Sequence, residues 1–149
     1  MPDNVCKISE LGKIEVDQVF IGSCTNASYT DLAKAAAILK GHVVHPNVSL
    51  VIAAGSRQIF SMALRDGIIS TLVDAGVRIL ECGCGPCVGI GQALRTHGVS
   101  FRTSNRNFKG RSGTLDASVY LGSPEAAAIT AIKGYITDPI AEGVTDVLL

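Results

Sequence analysis

The stretch VDQVFIGSCTNASYTDLAKAAAILKGHVVHPNVSLVIAA, residues 16–54, decides the fold because it places a helical pattern between two strand patterns. Residues 16–22 are rich in Val and Ile and predict a strand. Residues 48–54 are almost continuously apolar, which is typical of a strand buried on both faces of a parallel sheet. The stretch therefore predicts two strands joined by a helix.

The predicted helix has a start signal, an apolar face and a stop signal. The hydroxyl of Ser28 can cap its first turn, where Asp31 places a favourable negative charge. Gly41 is a typical helix end. The residues that share the apolar face are Leu32, Ala35, Ala36 and Leu39.

The same alternation continues along the rest of the chain. We predict one α/β domain over residues 1–149, with a three-layer architecture and a mostly parallel sheet that carries helices on both faces. The further predicted elements are helices over 56–67 and 68–75, a strand over 77–80, a helix through Ile90 and Leu94 to His97, strands over 99–102 and 118–121, and a helix from Ser123 to Gly134.

Composition narrows the classes of function. The 13 basic and 13 acidic residues cancel, and aromatic residues make up only 5% of the chain, so we do not expect a nucleic-acid partner. No apolar run approaches the length that spans a bilayer, and the first residues lack the pattern of a secretory signal. We therefore expect a cytoplasmic protein with no membrane partner.

Cysteine spacing is the strongest chemical signal. Three of the five cysteines fall within the Gly- and Pro-rich stretch 82–87 (CGCGPC), and Cys24 lies far upstream. A Cys-x-x-Cys pair can be a redox pair, but that leaves Cys24 unexplained. It can be half of a zinc site, which needs a fourth ligand at a comparable spacing. It can also hold an iron–sulfur cluster with one open iron. Spacing alone leaves these three alternatives open.

The unusual polar residues follow the predicted strands. Cys24 comes after the first strand, the Cys82–Cys87 loop after the third, residues 105–111 after the fourth and Gly122 after the fifth. Open parallel sheets bind ligands beyond the carboxyl ends of their strands. We therefore expect these four loops to converge along one edge of the sheet.

Three of these stretches carry a family resemblance. VFIGSCTN (19–26), CGCGPCVG (82–89) and TSNRNFKGR (103–111) resemble signatures of the aconitase superfamily, in the family's order, and YLGSPE (120–125) is similar to a fourth. The resemblance extends from about Pro2 to about Glu142. It implies an aconitase-type domain from a hydro-lyase that isomerises hydroxy di- or tricarboxylic acids of the isopropylmalate, homocitrate or citrate class by dehydration and rehydration.

The resemblance also implies roles for individual residues. It identifies Cys24, Cys84 and Cys87 with the three ligands of a [4Fe–4S] cluster. It identifies the substrate-binding residues with Asn26, Asn105, Arg106 and Arg111. A guanidinium group suits a carboxylate because it binds bidentately and keeps its proton.

The chain lacks parts that the family's full-length members have. Two preceding domains and a mobile small subunit or domain, which supplies the catalytic base, have no counterpart here, so we expect a fragment of a large subunit. No catalytic residue is assigned within this chain, and we expect it to be inactive without those partners. The cluster, normally buried by several domains, can be lost from the domain on its own.

Some residues have simpler interpretations. We interpret Cys82 as a packing residue, since a fourth thiolate would close the open iron, and we assign Cys6 no role. An alternative to the enzyme is a non-catalytic fragment that binds metal or RNA, because one loop is basic. That basic cluster consists of Arg102, Arg106, Lys109 and Arg111.

Overall fold

A five-stranded, all-parallel sheet forms the centre of the computed structural model, which describes residues 4–83, 85–105 and 108–144. The order across the sheet is 3-2-1-4-5 in chain numbering, so the first strand is central. Every neighbouring pair is parallel. The strands are β1 (Gln18–Gly22), β2 (Ser49–Ala53), β3 (Arg78–Leu80), β4 (Val99–Arg102) and β5 (Ser118–Leu121).

Four α-helices were predicted close to where they occur. Ser28 caps the first, where its Oγ accepts from the amide of Asp31 at 3.2 Å, and Ser123 caps the last in the same way from Ala126. None of the helices described combines the length and apolar character of a bilayer span. The helices are α1 (Tyr29–Leu39), α2 (Arg57–Arg65), α3 (Ile68–Asp74) and α4 (Pro124–Lys133), with 3₁₀ turns at Ile8–Glu10 and Pro86–Val88.

The larger core lies between the sheet and the four α-helices. Alternate residues of β1 and β2 point to this side, as the two-residue period of a strand requires. All four helices contribute buried side chains, with α1 and α4 in extensive contact. The central strand residues of this core are Val19, Ile21, Leu50 and Ile52, each no more than 1% exposed.

The opposite face of the sheet carries a smaller and more polar layer. Phe20, Val51 and Ala53 form a second cluster there with Cys87, which belongs to the 3₁₀ turn Pro86–Val88. Both faces of the sheet are thus covered, and the predicted three-layer α/β class with a parallel sheet is confirmed.

The predicted helix through Ile90 and Leu94 to His97 is wrong. This stretch forms turns, and Leu94 makes an isolated parallel bridge to Gly113. Gly91 and His97 have φ values of +69° and +59°, in the left-handed region, which interrupts a right-handed helix. The amide of Leu94 donates to the carbonyl of Ser112 at 2.8 Å, a long-range contact that replaces a helical hydrogen bond.

The strand order creates a switch point between β1 and β4. The chain moves outward from β1 through β2 to β3, then returns to the other side of β1 to form β4 and β5. Helices and loops leave neighbouring strands in opposite directions at such a point, which opens a crevice beyond the strand ends. The turn that carries Cys24 and the loop that carries Asn105 follow these two strands.

Candidate functional site

Gly22 ends β1 at a position that admits no side chain. Its φ is +133°, and a Cβ there would lie 2.1 Å from the carbonyl oxygen of Ala53 on the neighbouring strand. Only glycine combines this backbone conformation with so close an approach. The turn that carries Cys24 can therefore begin immediately at the sheet edge.

Cys24 is exposed on a tight turn that is held at several points. The amide of Asn26 donates to the carbonyl of Ser23 at 3.3 Å, and the amide of Thr25 donates to the Ser23 hydroxyl at 3.3 Å. The carbonyl of Ala27 accepts from the amide of Gly55, beyond the end of β2, at 3.2 Å. These hydrogen bonds fix the position of the backbone on both sides of the thiol.

The loop after β4 is hydrogen-bonded to this turn. The side-chain amide of Asn26 donates to the carbonyl of Thr103 and to the Oδ1 of Asn105, the latter at 2.8 Å. Asn105 donates in turn to the hydroxyl of Thr25 at 3.2 Å, and the amide of Gly22 donates to the hydroxyl of Thr103 at 3.0 Å. The structure thus brings together Asn26 and Asn105, which lie 79 positions apart in the sequence.

Cys87 lies below the central strands rather than at the tip of a loop. Its side chain is only 4% exposed and packs against Phe20, Val51 and Ala53. Pro86 begins the 3₁₀ turn, and Gly89 ends it at a φ of +84°. Cys84, the other predicted ligand of this segment, lies outside the described residues.

Arg102 is buried, so its assignment to an exposed basic cluster is wrong. Its side chain is 2% exposed and lies on the polar face of the sheet. Its Nε donates to the hydroxyl of Ser100 at 2.8 Å and its Nη2 to the Oε1 of Gln18 at 2.8 Å. Its Nη1 lies 3.4 Å from the carbonyl oxygen of Pro86. Inward-facing polar partners on two strands account for the burial of a charged side chain.

The electrostatic surroundings of Arg102 include the cysteine segment. Burial lowers the pKa of its guanidinium, the charge of Cys87 raises it, and that of Arg111 lowers it, with a net decrease. The guanidinium also lies 6.0 Å from the ring centroid of Phe20. No carboxylate in residues 4–83, 85–105 and 108–144 forms an ion pair with it.

Arg111 is half-buried at the far end of the loop after β4. Its guanidinium lies over the ring of Phe108, 5.3 Å from the centroid, and its amide donates to the carbonyl of Phe108 at 3.1 Å. Its Nε is buried and meets no hydrogen-bond acceptor among the described residues. A donor held in this way suits an added anionic ligand. Arg106 lies outside the described residues.

Cys82 contacts the helix-side core, whereas Cys87 packs on the other face of the sheet. Together with Arg57 and Phe60 it lines a cleft of about 420 Å³ beside β3. These contacts agree with the interpretation of Cys82 as a packing residue. Cys6 is exposed near the start of the chain.

The residues present fit an iron–sulfur cluster by their chemistry. Thiolates are the ligands that such clusters use, and Cys24 and Cys87 belong to segments anchored on the same central strand. Ser104 adds a buried hydroxyl, next to Asn105, that finds no partner among the described residues. Within those residues no group of three His, Cys, Asp or Glu side chains that could hold a metal ion occurs.

The segments that form this site lie within the part of the chain that a protein-family model matches. The model of the aconitase family (aconitate hydratase) matches residues 5–134, which include both cysteine segments and the loop after β4. The chain belongs to the aconitase family. The family resemblance of the three sequence motifs is thereby confirmed.

Aconitase-family relatives include large subunits of two kinds. The chain is 49% identical over 140 residues to the methanogen homoaconitase large subunit of Methanocaldococcus jannaschii. It is 50% identical over 138 residues to a 3-isopropylmalate dehydratase large subunit of Archaeoglobus fulgidus, and 46% identical over 138 residues to a homoaconitase large subunit of Thermus thermophilus. These matches cover 92–93% of the chain but only 33% of each relative, so the chain spans about a third of their length.

Sequence reasoning missed the buried polar network of this aconitase-family domain. Gln18 donates to the carbonyl of Gln92 at 2.9 Å and accepts from the hydroxyl of Ser100 at 3.0 Å, which links β1, β4 and the segment after Cys87. The one indication of this network in the sequence was Gln18, a polar residue at the start of an otherwise apolar strand. Its partners lie 74 and 82 positions away, so no local pattern identifies them.

Proposed function

We propose that this chain is the cluster-bearing domain of a hydro-lyase that isomerises hydroxy di- or tricarboxylic acids. The observation that carries the proposal is the hydrogen bonding between the Cys24 turn and the Asn105 loop at the switch point between β1 and β4. Membership of the aconitase family supports the same reaction class. The names of the relatives, homoaconitase and 3-isopropylmalate dehydratase, support isopropylmalate or a homologue of citrate as the class of substrate.

Cys24, Cys84 and Cys87 are the proposed ligands of a [4Fe–4S] cluster. When bound, such a cluster supplies a Lewis acid at an iron that no thiolate occupies. The two described ligands have different surroundings. Cys24 is exposed on a hydrogen-bonded turn, whereas Cys87 is packed among apolar side chains. Burial of Cys87 keeps water away from one side of the site.

Asn26, Asn105, Arg106 and Arg111 are the proposed substrate-binding residues. Arg111 has a buried Nε without an acceptor among the described residues, and it can hold a substrate carboxylate through paired N–H groups. The hydrogen bonds from Asn26 to Asn105 and from Asn105 to Thr25 hold both side-chain amides in place before substrate arrives. Orientation that precedes binding lowers the entropic cost of reaching the reactive geometry.

The catalytic base is proposed to come from outside this chain. Residues 1–149 form a single α/β domain in this proposal, as part of a larger large subunit that works with a small subunit or mobile domain. The relatives are named as large subunits, which supports such a partner. Proton abstraction needs a base within hydrogen-bond reach, so the chain alone is expected to be inactive.

The proposed location is the cytoplasm, because a reducing compartment keeps cysteine ligands in the thiol form.

The basic cluster behind the RNA-binding alternative loses one of its four members. The cluster includes Arg102, but this arginine is 2% exposed and its donors already face oxygens of the protein. A buried guanidinium cannot neutralise a phosphate group. No other observation in the described residues favours RNA over a carboxylate ligand.

Anaerobic reconstitution with iron and sulfide tests the metal assignment. We expect about four irons per chain, with a broad visible charge-transfer band, in the unmodified protein. Cys24→Ser and Cys87→Ser should each lower the iron content and the absorption, because each removes a soft ligand.

Cys82→Ser and Cys6→Ser are the matched controls, since neither is a proposed ligand. Equal iron uptake with and without Cys24, or a single zinc ion per chain, would refute the cluster assignment.

A second experiment tests the reaction. The remaining two-thirds of a relative's large subunit, together with its small subunit, are added to the iron-loaded chain. Hydration activity that depends on Cys24 would support the proposal. The absence of hydration activity above background would oppose it.

A further inference from the structure

Arg102 is a charged residue that the proposed chemistry does not yet use. It lies on β4 at 2% exposure, and each of its three nitrogens has an oxygen partner: Ser100, Gln18 and the carbonyl of Pro86. These partners are a hydroxyl, an amide and a backbone carbonyl, all of them neutral. The network gives each nitrogen of the guanidinium one acceptor but does not balance its charge.

The same network holds the segment that carries Cys87. Pro86, which immediately precedes Cys87, offers its carbonyl oxygen to Arg102 at 3.4 Å. Gln18, which accepts from Arg102, also donates to the carbonyl and side chain of Gln92 at 2.9 and 3.3 Å. Residues 86–92 are therefore attached to β1 and β4 at both ends through one buried network.

A thiolate-ligated cluster carries negative charge, and a buried charge is stable only with a compensating partner. We propose that Arg102 is a positioning residue for the metal centre: it fixes the Pro86–Gln92 segment beneath the sheet and offsets the negative charge of the centre bound through Cys87. The charge-compensating role in this inference rests on the proposed cluster. The positioning role also applies to the chain without metal. Arg102 is 2% exposed, and in this role it acts through the Pro86–Gln92 segment rather than on the substrate.

The first test uses the metal-free chain and amide hydrogen exchange. The amides of Gly89, Ile90 and Gln92 each donate to a backbone carbonyl of residues 85–89. In Arg102→Gln and Arg102→Met they should exchange about tenfold faster, the factor expected from losing one charge-assisted hydrogen bond. Amides within α4 serve as the internal reference. Unchanged exchange at all three positions would overturn the positioning role, whether or not a cluster assembles.

The second test measures the reduction potential of the reconstituted centre. Removing a nearby positive charge makes addition of an electron less favourable, so Arg102→Gln should lower the potential. Arg102→Lys should restore most of it, because it keeps the charge. Gln18→Glu leaves Arg102 in place and adds a carboxylate beside it, so this variant should also lower the potential even if Arg102 variants fold poorly.

Arg95→Gln is the matched control, since Arg95 lies three residues beyond the Pro86–Gln92 segment, its side chain is 76% exposed and it pairs with Asp17. Its potential should equal that of the unmodified protein. Equal potentials for Arg102→Gln, Gln18→Glu and the unmodified chain would overturn the charge role. Failure of the unmodified chain to bind iron would refute the proposed function and leave the exchange result to decide the positioning role.

Discussion

Two buried serines near the end of β4 differ in their hydrogen bonds. Ser100 is fully buried, donates to Gln18 at 3.0 Å and accepts from Arg102 at 2.8 Å. Ser104 is 2% exposed, and its hydroxyl has no partner within the described part of the chain. The cost of deleting a hydroxyl depends on what is left unsatisfied, so these two residues should respond differently.

We predict that Ser100→Ala lowers the free energy of unfolding by about 2 kcal/mol, because it leaves a buried guanidinium N–H without its acceptor. Ser104→Ala, its matched control, should change that free energy by less than about 0.5 kcal/mol or raise it. Urea denaturation of the metal-free proteins measures both. A large loss for Ser104→Ala would mean that this hydroxyl makes a stabilising contact in solution.

At the scale of elements, an ion pair joins the two most closely packed helices. Lys34 on α1 lies 2.8 Å from the carboxylate of Glu125 in the first turn of α4. Burial raises the pKa of Glu125, but hydrogen bonds from Lys34, its own backbone amide and Ser123, together with the charge of Lys34, lower it below its ordinary 4.5. Glu125 therefore favours the folded state when it is ionised.

The pH dependence of this contribution has a definite sign. Since the folded-state pKa of Glu125 is depressed, its stabilisation is present above the ordinary pKa of 4.5 and is lost as the pH falls through the folded-state pKa. We predict that Glu125→Gln is less stable than the unmodified protein at pH 7 and that the difference disappears in acid. Urea denaturation at several pH values measures it. Glu15→Gln is the control at pH 7 and should change the free energy of unfolding little, because the Glu15 side chain is 80% exposed.

At the scale of the whole molecule, the site segments expose large apolar side chains. Gly89 approaches the backbone of Ser112 closely, so the segments around Ile90 and Leu115 are neighbours. Several exposed apolar residues on one region favour association with another surface. The exposed residues of these segments are Val88 at 42%, Ile90 at 70%, Phe108 at 60% and Leu115 at 69%.

We predict that the chain by itself associates reversibly through this region. Replacing Ile90 and Leu115 together by Gln should shift sedimentation toward the monomer without lowering the urea midpoint, because both side chains are already solvated in the monomer. Val43→Gln is the control, since Val43 is also 70% exposed but follows α1, remote in sequence from the site segments. Sedimentation that is identical for all three proteins would contradict the prediction.

Only the tertiary structure decided several features of the site. The order of the strands, and hence the switch point, depends on which strands pair and is absent from any local pattern. The burial of Arg102 depends on Gln18, 84 positions away, and sequence reasoning grouped this strand residue with the basic residues of the following loop. The turns over residues 90–97 likewise replace a predicted helix because Leu94 bonds to Ser112.

The sequence by itself determined the class of the fold, most element boundaries and the motifs of the family. Strands at 99–102 and 118–121 were predicted as observed, and Ser28 and Ser123 were identified as helix caps, because strand propensity and capping act over a few neighbouring residues. The contact between Asn26 and Asn105, and the network beneath Cys87, formed only when distant segments met. Contacts of that kind depend on the three-dimensional arrangement of the whole chain, which local residue patterns do not specify.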